Sequence, residues 1–495
     1  MTTPPEQITL DQWDELYPQL FASGKLAAVD YMGPLRRHVE DGDLRLRQFL
    51  YDNSPAALRL WNFLLSEEDR LRQSRLRGKR IVAAMKDLGT VPVMAYSLPN
   101  LVAFYPDGAW WVPCIMERSS GDLEIADRLG VGESFCPVRA MLGAFSKTVR
   151  DAHFPRPDLS ICSAGATCDD FSAIAQVLES LGYPILWWEI PHRRRPDAGE
   201  DAVVLPGGFV APLAQVHQVL SELEVLRQAL GTLAGETLSD AKLAEGIRRA
   251  NRFRRLLNEL REMVYTADIC PMGALEMLIA EMLAIHFCSD LDEAVAVVED
   301  LLAETARRVA GGAFGQEVLG SDAVKVFWVN PVADLGVMNL LEQCGGRLCG
   351  TEFLFSHALD EIPEDLEPME ALARMALADP MIGSSADRAE RICRDCRRFG
   401  AQAVVISRIS GASHCPMESG IIAAAVRAEG LSVIEIEVPS MTDSLEGSIR
   451  TRLEALVESV KISGAGMPAA CPTGPLRSRD QRPLTPPAEQ LRIRP

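Results

Sequence analysis

Basic residues are the scarcer sign in this sequence: 50 Lys and Arg stand against 69 Asp and Glu, a formal charge of −19. So acidic a chain repels polyanions, which argues against general nucleic-acid binding. Long apolar runs are also missing. A membrane span needs roughly 18 apolar residues, and the best stretch, 274–287, is interrupted by Glu276 and Glu281. The opening Met1-Thr-Thr-Pro-Pro-Glu6 has no basic segment followed by an apolar run, so no secretory signal is read. There is no GxGxxG between a strand and a helix and no GxxxxGK[ST], so neither a Rossmann dinucleotide site nor ATP hydrolysis is supported. The GxSxG elbow of serine hydrolases is absent too. The expectation is a soluble cytoplasmic protein with neither nucleic acid nor membrane as partner.

What is present suits a large globular chain. Hydrophobic residues make up 47% and charged residues 24% of 495 positions. At about 150 residues per domain this predicts roughly three structural units. Residues 1–90 read as a helical, charged N-terminal extension, with apolar residues at helical spacing in Leu44-Arg-Leu-Arg-Gln-Phe-Leu50 and Ala57-Leu-Arg-Leu-Trp-Asn-Phe-Leu-Leu65. Residues 91–211 read as a first α/β domain. Val91-Pro-Val-Met-Ala-Tyr96, Leu159-Ser-Ile-Cys162 and Ile185-Leu-Trp-Trp-Glu-Ile190 are expected strands, and 171–182 an expected helix closed by Gly182. Residues 212–315 are expected to be helical, and 316–460 a second α/β domain. Its expected strands are at Val324, Ala403 and Leu431, and its helices at 335–343, 386–398, 417–428 and 445–460. The tail, 461–495, is rich in Pro, Gly, Arg and Ser and is expected to be disordered. Strand and helix in alternation predict parallel sheets with crossover helices.

The twelve cysteines carry the chemical question. In a reducing compartment they are not expected to form disulfides. Two of them fall in an internal echo. Leu159-Ser-Ile-Cys-Ser-Ala-Gly-Ala-Thr-Cys168 leads through a helix to Gly182 and a strand ending in Pro191. Val404-Val-Ile-Ser-Arg-Ile-Ser-Gly-Ala-Ser-His-Cys415 leads through a helix to Gly430 and a strand ending in Pro439. Both cysteines sit where a strand's carboxyl end turns into a helix, the place where ligand sites collect in open parallel sheets. A helix N-terminus also favours the thiolate that metal ligation needs. Cys136, followed by Pro137, resembles them locally. For all three, buried structural thiols remain the plain alternative.

Other groupings are weaker. Cys393-Arg-Asp-Cys396 has metal-pair spacing but lies in a charged helix without a second pair. Cys114, Cys162, Cys270, Cys288, Cys344 and Cys349 are read as core residues and Cys471 as an exposed tail residue. His192-Arg-Arg-Arg-Pro196 is a basic cluster, either a solvated loop or a holder of phosphate.

Cys136-Pro-Val-Arg139, Thr167-Cys168-Asp169, His414-Cys415-Pro416, Arg450-Thr-Arg-Leu-Glu-Ala-Leu456 and the central Ala250-Asn-Arg-Phe-Arg-Arg-Leu256, in this order, resemble the subunits of 2-hydroxyacyl-CoA dehydratases and benzoyl-CoA reductases. The resemblance covers roughly residues 91–460. It implies two flavodoxin-like parallel-sheet α/β domains with an intervening helical segment. It also implies one 4Fe–4S cluster held by Cys136, Cys168 and Cys415 in the cleft between them. Relatives with a double-cubane cluster carry further cysteines where this chain has His153-Phe-Pro155 and Gly383-Ser-Ser385, so a single cubane is expected. The implied partners are a homologous second subunit or a second copy of the chain, an ATP-dependent iron–sulfur activator, and an acyl-CoA substrate. The implied chemistry is one-electron reduction of the thioester to a ketyl radical, for loss of a 2-hydroxyl group or for aromatic ring reduction. His414 is a tentative proton donor, and Asp169 and Glu418 flank two of the ligands. An electron-relay subunit and a scaffold without a cluster are the rival readings.

Overall fold

The computed structural model describes residues 6–463 apart from 41–43, 86–88, 107–118, 146–153, 167, 287–288, 312–318, 331, 333, 354–355, 410, 413–416 and 439–445. Expectations at His153, His414, Cys415 and residues 464–495 therefore lie outside the described residues.

Two four-stranded sheets organise the chain. The first contains β1 (Arg80–Met85), β2 (Leu101–Phe104), β3 (Leu159–Gly165) and β4 (Ile185–Ile190) in the order β2-β1-β3-β4. The second contains β5 (Val324–Val329), β6 (Gly346–Glu352), β7 (Ala403–Arg408) and β8 (Ser432–Glu437) in the order β6-β5-β7-β8. Every pairing in both is parallel. The shared order reverses between the first and third strands of each sheet, which is the flavodoxin-like switch point. The expected α/β class with two such sheets is what the chain adopts.

Ile81 to Met85 and Val326 to Val329 are buried without alternation, as strands covered on both faces by helices must be. Val91-Pro-Val-Met-Ala-Tyr96, expected as a strand, is instead the short helix Val91–Tyr96. Pro92 in its first turn supplies a helical φ and lacks an N–H that would have no intrahelical partner there. The strand that opens this sheet is β1, inside the stretch read as an N-terminal extension. It was hidden by the charged lead-in Arg75-Leu-Arg-Gly-Lys-Arg80. Leu44–Gln48 forms a 3-10 turn rather than an α-helix.

Four helices follow the first sheet: α1 (Leu213–Ala234), α2 (Asp240–Thr266), α3 (Ala274–His286) and α4 (Leu291–Gly311). Among them α2 packs on β6 of the second sheet and on the Val91–Tyr96 helix that follows β1 of the first. One of its faces, at i, i+3, i+4 and i+7, carries Asn251, Arg254, Arg255 and Asn258. Asn251 Nδ2 donates to Ile362 O (2.8 Å) and its Oδ1 accepts from Ile362 N (2.9 Å). Arg254 Nη1 donates to Asp360 O (2.6 Å) and Nη2 to Gly89 O (3.1 Å), so one guanidinium reaches the loop after β1 and the segment after β6. Arg255 pairs with Glu361 (2.6 Å), and Asn258 Nδ2 donates to Leu359 O (2.7 Å).

The N-terminal residues are built into this core. Ser54 caps the helix Pro55–Leu65, accepting from Ala57 N (3.2 Å), and that helix is buried against α3 and α4. Asp52 pairs with Arg308 of α4 (Nη2 to Oδ1, 2.8 Å). Beside it, Glu276 Oε1 accepts from Asp52 N (3.0 Å) and Trp61 Nε1 (3.3 Å). Glu342 accepts from Ala274 N (2.6 Å) and from Gln7 Nε2. Burial and the nearby Asp52 charge push Glu276 up to about 7, and burial and the charges of Glu276 and Asp52 push Glu342 up to about 8.

Both folded values exceed an ordinary carboxyl value of about 4.5. The folded chain then binds more protons than the unfolded chain between those limits. Their contribution is complete at acid pH and is lost as pH rises through 7 to 8. The double variant Glu276→Gln/Glu342→Gln keeps the acceptors and loses this titration. Its thermal midpoint should fall less than that of the unsubstituted chain between about pH 5 and 9. Parallel curves for the two proteins would rule the assignment out.

Candidate functional site

Cys136 ends the loop that follows α-helix Ser119–Arg128 and opens the 3-10 turn Pro137–Ala140. Its backbone is extended (φ −52°, ψ 143°), its thiol is partly buried, and it makes no capping hydrogen bond. The buried Arg139 fixes this turn. Its Nη1 donates to Asp127 Oδ1 (2.7 Å) and to the carbonyls of Leu123 and Val131 (both 3.2 Å).

Cys168 is the N-cap residue of the helix Asp169–Ser180, as the strand-to-helix reading expects. It is buried, and its Sγ lies 3.9 Å from Oδ2 of the buried Asp170. Asp169 is exposed in the first helical turn. This helix packs against the Pro137–Ala140 turn, so the described structure brings the Cys136 and Cys168 segments together. The helix ends at Ser180, and Gly182 closes it with φ +81°.

The internal echo has a backbone counterpart. Gly165 and Gly411, the glycines preceding the two cysteines, have φ of +96° and +79°. A Cβ on Gly165 would collide with the carbonyl oxygen of Ile190 in β4. A Cβ on Gly411 would collide with the carbonyl oxygen of Phe135 and come within 2.7 Å of that of Glu133. The loop leaving β7 therefore lies directly on the loop that leads to Cys136. Cys415 follows Gly411 by four residues in the sequence, and it and His414 lie outside the described residues.

Of the cysteines read as core residues, Cys162, Cys270 and Cys349 are buried, and Cys344, at the end of the helix Gly336–Gln343, is half-buried. Cys349 lies in β6, and burial pushes its thiol up to about 12. Burial pushes Cys270 to about 11 and also raises Cys393 and Cys396. Protonated thiols are poor metal ligands. Both Cys393 and Cys396 face the core from the helix Ser385–Phe399.

The basic cluster after β4 is occupied by protein. Arg193 is buried beneath the Phe209 ring (4.0 Å) and donates to Leu377 O (2.6 Å) and Asp379 O (2.9 Å). Its guanidinium also covers Gly383, where any side chain would collide with it. Arg194 pairs with Glu200 (2.6 Å) and Arg195 with Asp387 (2.8 Å). Arg193 and Arg195 join the first α/β region to the second.

Asp170 beside Cys168 and the anchoring of Arg139 were not singled out by the sequence reading. The first is visible only once the helix direction is known. The second had a signal in the motif Cys136-Pro-Val-Arg139. No helix among the described residues is long and apolar enough to cross a membrane. No curated protein matches the chain. The model of the family described as 2-hydroxyglutaryl-CoA dehydratase, D-component, matches residues 94–460, and the chain belongs to that family.

Proposed function

We propose that the chain is an iron–sulfur subunit of a 2-hydroxyacyl-CoA dehydratase-type enzyme, with Cys136, Cys168 and Cys415 holding one 4Fe–4S cluster. The observation that supports this most is the meeting at the Cys136 turn. The helix begun at Cys168 packs on it from the first sheet, and the Gly411 loop lies on it from the second. The carboxyl ends of two parallel sheets thus converge on one cysteine, and ligand sites belong at such ends.

The donor set fits the group. Two thiols stand at the start of a helix or turn and make no side-chain capping hydrogen bond. Asp170 Oδ2 is an acceptor within reach of the Cys168 proton, which must leave before sulfur ligates. Arg139 holds the Cys136 turn against the Ser119–Arg128 helix, which supports a ligand role for Cys136. When bound, such a cluster supplies a low-potential electron for one-electron reduction of a thioester carbonyl. Three cysteines leave one corner of the cubane without a protein thiolate, which suits a site that meets substrate. The substrate class is an acyl-CoA, and the partners are a second subunit and an ATP-dependent iron–sulfur activator in the cytoplasm. His414 would serve as proton donor.

Anaerobically purified chain should carry about four irons with matching sulfide and give an EPR signal on reduction. Cys168→Ala should lose them while remaining folded. Wild-type protein that is folded, iron-free and resistant to reconstitution would sink the reading. Retained activity of Cys168→Ala in the reconstituted complex would favour the scaffold instead. Gly411→Ala places a methyl group against the Phe135 carbonyl at a positive φ. It should lower iron content per folded chain several-fold. An iron content equal to wild type would show that the loop contact does not matter for the site.

A further inference from the structure

The second sheet ends in a buried ion-pair network that touches both strands of its switch point. Arg388, fully buried on the helix Ser385–Phe399, donates from Nε and Nη2 to the two carboxylate oxygens of Glu352 at the end of β6 (3.0 and 2.7 Å). Nη2 also donates to Asn330 Oδ1 (2.6 Å), and Nη1 to Glu418 Oε2 (2.8 Å). Asn330 follows β5 and has φ +67°, the only non-glycine in the left-handed region among the described residues. Its Nδ2 donates to Ser407 O in β7 (3.0 Å), so it spans the crevice between β5 and β7.

Glu418 stands three residues after Cys415 and directly precedes the helix Ser419–Ala428. Its side chain does not cap that helix. Instead one oxygen is held by Arg388 and the other accepts from Ser385 Oγ (2.8 Å). On the other flank, Gly411 lies on the carbonyls of Glu133 and Phe135. Gly411 and Glu418, which flank Cys415 in the sequence, are thus each held, the first on the loop that leads to Cys136 and the second on Arg388.

We infer that Arg388 is a positioning residue for the third cysteine, acting through Glu418. This rests on the cluster reading given above. An arginine fork can bind Glu352 with two donors and still offer a third to Glu418, a geometry that lysine cannot supply. Around that one cation stand two carboxylates, and Glu418, three residues from Cys415 in the sequence, would be a negative charge near a cluster held there. Neutralising Glu418 removes one negative charge there, which favours the reduced cluster and moves its potential upward.

Glu418→Gln, in the full chain, is the variant of choice because Glu418 is partly exposed, whereas substitution of the fully buried Arg388 threatens the fold. Three quantities are compared with wild type: deuterium exchange of the 409–418 peptide in iron-free protein, iron release to a chelator after reconstitution, and the midpoint potential. Exchange should quicken several-fold at 409–418 and stay unchanged in β5. Iron should be lost roughly 10- to 100-fold faster, the usual range for groups that orient ligands. The potential should become more positive. Wild-type values for all three overturn the inference. If wild type itself takes up no iron, the cluster reading fails, and the exchange comparison alone then decides whether Arg388 and Glu418 anchor the loop.

Discussion

Arg254 is the point on which the two halves of the chain depend. A guanidinium taken out of water carries a large desolvation penalty, which each hydrogen bond from its donors offsets in part. Here Nη2 bonds the carbonyl of Gly89 after β1, and Nη1 bonds that of Asp360 beyond β6. Hydrogen bonds to a charged group contribute about 1.5–3 kcal/mol each, and a buried carbonyl left without one costs a comparable amount. Gly89 has φ +128°, and a Cβ there would come within 2.7 Å of Nη2, so glycine is required for the approach. The relative placement of the sheets is thus set by one helix of the central block, α2, through polar contacts that tolerate little displacement. Arg193 and Arg195 repeat the strategy on the other side, where arginines from the first α/β region reach Leu377, Asp379 and Asp387.

This arrangement follows from the parallel sheets themselves. A parallel sheet buries both faces and leaves its chemistry to the loops at its carboxyl end. In the second sheet the crevice between β5 and β7 is filled by the protein's own groups. Asn330 bridges the two strands, and Trp328 Nε1 donates to Ser407 Oγ (3.0 Å) beneath it. A filled crevice does not receive a ligand between its own strands. Beyond β7, Gly411 lies on the carbonyls of Glu133 and Phe135 in the loop that leads to Cys136. The proposed site would accordingly form between the sheets rather than within either.

The strands legible in the sequence were those rich in β-branched and aromatic residues, such as Val324-Lys-Val-Phe-Trp-Val329 and Ala403-Val-Val-Ile-Ser407. β6 was missed because its seven buried residues include two glycines and the polar Arg347, Thr351 and Glu352. Each of these finds a partner that sequence cannot show. Arg347 reaches the carbonyls of Ala267 and Asp268, Thr351 bonds Glu281, and Glu352 bonds Arg388. The same limit hid Arg388. On a helix reading Ala386-Asp-Arg-Ala-Glu-Arg-Ile-Cys-Arg-Asp-Cys396, one arginine among six charged residues gives no sign of being fully buried. The Cys168 helix start was readable because repetition, unlike burial, is a property of sequence alone.

That repetition is also where the two halves diverge. Gly165 and Gly411 hold the same left-handed backbone in the same motif, yet they press on different neighbours. Gly165 lies on Ile190 of its own sheet, and Ala166 N donates to the same carbonyl (2.8 Å). This closes the first domain around Cys168. Gly411 lies on Phe135, in the loop that leads to Cys136 on the side of the first sheet. The helix starts differ in the same sense. The first begins directly after Cys168, with Asp170 turned back to the thiol, whereas the second begins only at Ser419, after Glu418 has been drawn to Arg388. One copy of the motif is tied inward and the other outward. A motif that folded identically in both halves would give two separate sheet-end pockets, whereas this asymmetry directs both toward the Cys136 turn.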